Sequence, residues 1–191
     1  MSHNLPLVVA ITGASGAVYG IEALKALKAA KVPTHLVLSQ AALQTIKLET
    51  ETSAKVVREL ADQVYDEGDI AAAISSGSFK TRGMLVAPCS IKTLSGIANS
   101  YADGLIVRAA DVTLKERRPL VLMVRETPLH KGHLELMLRA ADMGAIILPP
   151  LPAFYHHPKS VMDIVHQSVG KALDLLNIEH NLFTPWTGPH G

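Results

Sequence analysis

Five short apolar runs punctuate the chain, at residues 5–11, 35–38, 84–88, 120–124 and 145–148. Each is close to continuous rather than alternating, the pattern of a strand covered on both faces. Between the runs, apolar residues recur at helical spacing, which predicts helices over residues 17–30, 41–48, 53–61, 93–99, 104–117, 130–143 and 160–177. Ser53 is placed to cap the third of these. The last carries Val161, Ile164, Val165, Val169, Ala172 and Leu176 as one stripe. Strands that alternate with helices predict an α/β fold around a parallel sheet of five or six strands. The segment 67–80, with Gly68, Ser75, Ser76, Gly77 and Ser78, is too polar for core and reads as a surface loop. No repeat, linker or low-complexity tract divides the chain, so residues 1–178 are expected to form one domain. The tail, 179–191, holds Trp186 and is expected to pack on that domain or on a neighbouring subunit.

Polar residues with chemical potential collect just beyond the strand ends, where open α/β sheets bind their ligands. The first strand runs into Gly13-Ala14-Ser15-Gly16, small residues that let backbone N–H groups approach a phosphate at a helix amino end. Only two residues separate the glycines, so this is not the dinucleotide fingerprint, and ordinary turn chemistry explains the stretch equally well. The second strand ends at Ser39, a neutral hydroxyl where a dinucleotide enzyme places an acid for the ribose. That favours a mononucleotide. The third ends at Cys89, read as a small buried residue rather than a nucleophile. Ser90-Ile91-Lys92-Thr93 then opens a helix, with hydroxyls and N–H groups suited either to a phosphate or to plain capping.

After the fourth strand come Arg125 and Glu126, a phosphate-binding cation beside a carboxyl able to transfer a proton. Pro128 biases Thr127 toward an extended backbone. The spacing of Arg108, Asp111 and Lys115 reads as a charge ladder on a helix surface. Glu49, by residue type, is a solvated carboxylate at a helix end. Lys171 lies off the apolar stripe of the last helix, either solvated or reaching a ligand. His156 and His157 are adjacent in a proline-rich loop, but no spacing of Cys, His and carboxylates completes a zinc site, so no metal is expected.

Composition narrows the classes. The chain has 191 residues, 48% of them hydrophobic, and a formal net charge of +1. The charge leaves no electrostatic footprint for nucleic acid. The high apolar fraction suits buried parallel strands and is compatible with oligomer interfaces. One cysteine excludes an internal disulfide framework and fits a reducing compartment. No apolar run reaches bilayer length and the first residues lack a signal-peptide pattern, so a cytoplasmic location is expected.

From residue 8 to residue 176 the chain resembles the UbiX-type flavin prenyltransferases. The resemblance rests on the stretches at 13–16 (Gly-Ala-Ser-Gly), 88–94 (Pro-Cys-Ser-Ile-Lys-Thr-Leu), 101–104 (Tyr-Ala-Asp-Gly), 108–112 (Arg-Ala-Ala-Asp-Val), 125–128 (Arg-Glu-Thr-Pro) and 149–155 (Pro-Pro-Leu-Pro-Ala-Phe-Tyr). It implies a single-domain, three-layer flavodoxin/Rossmann-like sheet with helices on both faces. The implied activity is transfer of a dimethylallyl group from dimethylallyl monophosphate to N5 and then C6 of reduced FMN, without a metal. The prenylated FMN would go to a UbiD-type decarboxylase. The resemblance further implies that Gly13, Ala14, Ser15, Ser39, Ser90, Ile91, Lys92, Thr93 and Arg125 hold FMN. Lys115, Glu126, Tyr155 and Lys171 would surround the prenyl phosphate, with Arg108 nearby. The family's acidic groups map onto Glu49 and Glu126, its tail tryptophan onto Trp186, and Ser15 would act beside the flavin. A homo-oligomer, a dodecamer built from trimers with sites at subunit junctions, is also implied.

Many relatives carry Arg in place of Lys171; Lys keeps the charge and loses the bidentate fork, so binding should survive with altered affinity. Two other readings compete. One is a flavin-dependent decarboxylase of the cysteinyl-decarboxylase group, which typically has an Ala-Ser-Ala-Asn-Thr-like motif where this chain has residues 89–93. The other is a non-catalytic flavin carrier subunit of an aromatic-acid decarboxylase, which would not need Lys115 and Lys171.

Overall fold

The computed structural model describes residues 5–185 and 188. Its strands are β1 (Leu7–Ile11), β2 (Thr34–Leu38), β3 (Gln63–Tyr65), β4 (Gly83–Cys89), β5 (Leu120–Val124) and β6 (Ile146–Ile147). All pair in parallel, in the order β3-β2-β1-β4-β5-β6. The helices are α1 (Ala17–Ala29), α2 (Gln40–Glu49), α3 (Ala54–Arg58), α4 (Ile91–Ala98), α5 (Leu105–Lys115), α6 (Lys131–Asp142) and α7 (Val161–Leu175). Along β1 the side chains alternate between two cores. Leu7, Val9 and Ile11 enter one, built with α1 and α7; Val8 and Ala10 enter the other, built with α4 and α5. This two-sided burial is why the strand reads as a continuous apolar run. The three-layer α/β architecture expected from the sequence is the one observed.

Three local expectations need correction. β3 gives no apolar run because it is an edge strand with Gln63 exposed and Val64 and Tyr65 only half-buried. The polar-looking loop after it is not all surface: Ala72 and Ile74 are buried and Phe79 packs on the second core. Val161 begins the apolar stripe of α7 yet is 76% exposed, because the helix's first turn lies beyond the sheet-covering face. Pro88 lies within β4, and the peptide bonds preceding Pro88 and Pro128 are both cis.

After α7 the chain turns back on it. Ile178 is buried, and the His180 ring lies between Asp174, at 3.1 Å, and Phe183. Gly170 makes this possible, since a Cβ there would come within 2.5 Å of the Phe183 ring and 2.7 Å of His180. Trp186 lies outside the described residues. Among the described residues no helix is long and apolar enough to cross a membrane.

Candidate active site

The strand order reverses at β1: β2 and β3 extend the sheet on one side, and β4, β5 and β6 on the other. The carboxyl ends of β1 and β4 therefore open a crevice at a topological switch point. Thr12, immediately after β1 and fully buried, ties the two ends together. Its hydroxyl donates to the Pro88 carbonyl at 2.7 Å and accepts from the Ser90 N–H at 2.8 Å. Arg125 is fixed beside them, its N–H donating to the Cys89 carbonyl at 3.1 Å.

The helices α1, α2 and α4 begin around this crevice, and the partial positive charge of each amino terminus must be answered. At α1 the answer comes from Glu49, whose Oε2 accepts from the N–H groups of Gly16 at 2.7 Å and Ala17 at 3.2 Å. The carboxylate read from residue type as solvated is thus bonded across two elements. Burial would raise its pKa, but the Ser15 hydroxyl, these two N–H groups and the Arg125 charge outweigh that and hold it below the ordinary value. At α2, Ser39 caps Ala42 at 3.0 Å and the Glu67 carboxylate accepts from Gln40 N–H at 3.2 Å. At α4, Ser90 Oγ accepts from Thr93 N–H at 3.3 Å and donates to Thr93 Oγ1 at 3.1 Å. The N–H groups of Ile91 and Lys92 have no acceptor among the described residues, so two adjacent donors at the start of α4 present an open anion site.

The glycine turn has a packing cause as well. A Cβ on Gly13 would lie 2.3 Å from the Ala41 Cβ, so only glycine lets the β1–α1 turn approach the start of α2. Gly16 adopts φ 102° as the residue before α1, a left-handed conformation that glycine takes without strain. Gly13, Ser39, Gln40, Ala41, Glu67, Ser90, Lys92, Thr93 and Asp103 together line a pocket of about 400 Å³. Ala14 and Ser15 stand in the turn beside it. The open α4 terminus, two hydroxyls and Lys92 suit the phosphate of a mononucleotide.

Arg125 and Glu126 are both exposed at the end of β5, and Glu126 accepts from Thr127 N–H at 2.9 Å. The neighbouring Tyr19 hydroxyl has its pKa pushed up by burial, partly offset by Arg125. Cys89 is fully buried, and burial pushes its thiol up to about 12, where no thiolate forms at neutral pH.

The remaining cations lie elsewhere. Arg108 pairs with Asp111 at 2.7 Å and donates to the Ser75 carbonyl at 3.1 Å, so it anchors the loop before β4. The expected ladder stops there, because Lys115 pairs with Glu116 at 2.5 Å instead of with Asp111. The pair rests over Gly77, where a Cβ would fall 2.0 Å from Glu116 Oε1 and 2.7 Å from Lys115 Nζ. Lys115 ends α5, next to the chain entering β5, whereas Arg125 follows the carboxyl end of β5. Five strand residues span about 17 Å, so the two cations occupy opposite edges of the sheet. Tyr155 and Lys171 form another group. The Tyr155 hydroxyl accepts from Gln167 Nε2 at 3.2 Å, and Lys171 follows Gln167 by one turn of α7. Among the described residues no group of three or more His, Cys, Asp and Glu side chains is placed to hold a metal ion.

Sequence reasoning missed the site roles of Thr12 and Glu67, and Asp103 entered only as part of the 101–104 stretch. Thr12 looks like any polar residue after a strand, and Glu67 and Asp103 lie in segments with no periodicity. Their roles arise from long-range contacts that no local pattern encodes.

Residues 1–173 match the Flavoprotein family. The flavin prenyltransferase UbiX of Escherichia coli strain K12 is 58% identical over 185 residues, covering 95% of this chain and 98% of that protein. The enzyme of the same name from Thauera aromatica is 56% identical over 182 residues, covering 95% and 94%. The crystal structure of AnUbiX (PadA1) in complex with FMN and dimethylallyl pyrophosphate superposes with a TM-score of 0.95 at 51% identity, covering 97% of this chain and 98% of that one. A dodecameric FMN-dependent UbiX-like decarboxylase from Escherichia coli O157:H7 gives 0.93 at 53% identity, covering 96% and 100%. With the switch-point pocket and these likenesses together, the chain belongs to the flavoprotein family and, within it, to the flavin prenyltransferases of the UbiX type.

Proposed function

We propose that this chain transfers a dimethylallyl group from dimethylallyl monophosphate to N5 and then C6 of reduced FMN and releases inorganic phosphate. The observation that carries the reading is the meeting, at one crevice, of the open α4 amino terminus with the Ser15–Glu49 pair and Arg125. Gly13, Ala14, Ser39 and residues 90–93 hold the flavin, with its phosphate on the Ile91 and Lys92 N–H groups. Arg125 lies against the ring. The electron-rich reduced ring supplies the nucleophile, so the protein needs none, and Cys89 stays a core residue.

The protein's own work is electrostatics and proton transfer. Lys115, Lys171 and Arg125 stabilise the charge that develops as phosphate leaves the allylic carbon, with Arg108 nearby. Tyr155 orients the phosphate, and Glu126 gives it a proton. Bond formation at C6 displaces a proton from that carbon; the Ser15 hydroxyl takes it and passes it to Glu49, which is ionised at neutral pH. Because Lys115 and Arg125 lie at opposite sheet edges, one chain does not assemble the whole set. The working form is a homo-oligomer, a dodecamer like its structural relative, in which a neighbour supplies Lys115. The product goes to a UbiD-type decarboxylase, and the reaction takes place in the cytoplasm.

Anaerobic incubation with reduced FMN and dimethylallyl monophosphate, followed by mass spectrometry of the released flavin, tests the reading. A gain of one C5H8 unit is expected, and the same assay with the diphosphate separates the two donors. Unchanged FMN from protein that binds it would overturn the transferase reading in favour of a carrier or decarboxylase.

A further inference from the structure

The flavin pocket contains a group that a simple phosphate cradle would exclude. Glu67 sits in the loop after β3, held by its own backbone: its carbonyl accepts from Leu105 N–H, at the start of α5, at 2.8 Å. Gly104 lies against its side chain, its would-be Cβ 3.5 Å from the Glu67 Cγ. From that fixed base the carboxylate reaches Gln40 N–H at the start of α2, at 3.2 Å. The same carboxylate lines the pocket shared by Ser39, Ser90, Lys92 and Thr93, with Asp103 on the wall as well. A carboxylate there repels a phosphate dianion and occupies an N–H that the phosphate could otherwise take.

We infer that Glu67 is a release residue. It holds the Gln40 N–H when the pocket is empty and opposes the flavin phosphate when the pocket is full, which keeps FMN and its prenylated product exchangeable. The inference rests on the proposed function, in which the flavin is a substrate and the product must leave for another protein. An enzyme that kept its flavin permanently would gain nothing from such a group. Glu67 does not touch the reacting ring atoms; it acts on affinity through the phosphate alone.

Dissociation constants for FMN and riboflavin, measured on the assembled wild-type protein and on Glu67→Gln, test this. Glutamine keeps an oxygen for the Gln40 N–H and removes only the charge. FMN should bind about three- to tenfold tighter, while riboflavin, which lacks the phosphate, changes less than about twofold. Release of prenylated FMN after a single turnover should slow by the factor seen for FMN. A parallel change for both flavins, or weaker FMN binding, would overturn the role of Glu67 and leave the transferase reading intact. Failure of the wild-type protein to bind FMN would instead overturn the flavin reading itself. If Glu67→Gln melts earlier, Glu67→Asp carries the same comparison: the shortened carboxylate withdraws from the pocket, and an unchanged FMN-to-riboflavin ratio would count against the inference.

Discussion

The Thr12 hydroxyl stands 2.8 Å from the Ser90 N–H, a contact that helps join the two strand ends between which the pocket opens. The same hydroxyl donates to the Pro88 carbonyl, so a single buried oxygen satisfies a donor on one side and an acceptor on the other.

Thr12→Val keeps the shape and removes both bonds. It should destabilise the protein by about 1–3 kcal/mol, the cost of stranding the Ser90 N–H, while the Pro88 carbonyl keeps the Thr12 backbone N–H at 3.3 Å. Urea denaturation measures the change. Thr12→Ser should lose less than half of that, and FMN affinity should fall with Val and hold with Ser.

Glu49 links the turn to the end of α2, and its pKa is lowered in the folded protein from an ordinary 4.5. A carboxyl lowered on folding adds stability that is fully present above its unfolded pKa and lost as pH falls through the folded one. The stability difference between wild type and Glu49→Gln should therefore hold from neutrality down to about pH 4.5. Below that it should shrink and vanish, as melting curves across the range would register. At neutral pH the substitution should also lower the turnover rate by about a hundredfold, and a wild-type rate would remove Glu49 from proton transfer.

Ser15 lies at the carboxyl edge of the sheet and Lys115 at the other, which makes a mixed-oligomer experiment decisive. Ser15→Ala and Lys115→Ala should each be nearly inactive alone. Co-expressed, they should regain about one quarter of wild-type activity, because that fraction of sites pairs an intact Ser15 with a neighbour's intact Lys115. No recovery would mean that each chain uses its own lysine.

Cys89 is buried, with its thiol pushed up to about 12, so it should resist iodoacetamide at pH 8 until the protein unfolds. Mass spectrometry of the alkylated protein reads this directly. Cys89→Ala should keep the rate within about threefold and cost about 1 kcal/mol of stability through the small cavity it leaves.

Much of the molecule was legible in one dimension. Runs such as residues 120–124 and the periodic segments between them determined an α/β sheet, because two-sided burial leaves no polar position in a strand. Turn and cap residues at 13–16, 39 and 90–93 marked its functional edge, because helix starts favour small and hydroxyl side chains. Sequence motifs also pointed to the family. Only the tertiary structure decided what each charge does. Glu49 looks solvated until α2 brings it to α1. Arg108 and Lys115 look like one ladder until Ser75 and Glu116 divide them. Thr12 and Glu67 are silent until β4 and α2 stand beside them. Local pattern reflects burial and backbone geometry, which act over a few residues. The partners of a charge or a buried hydroxyl are set by contacts between segments dozens of residues apart.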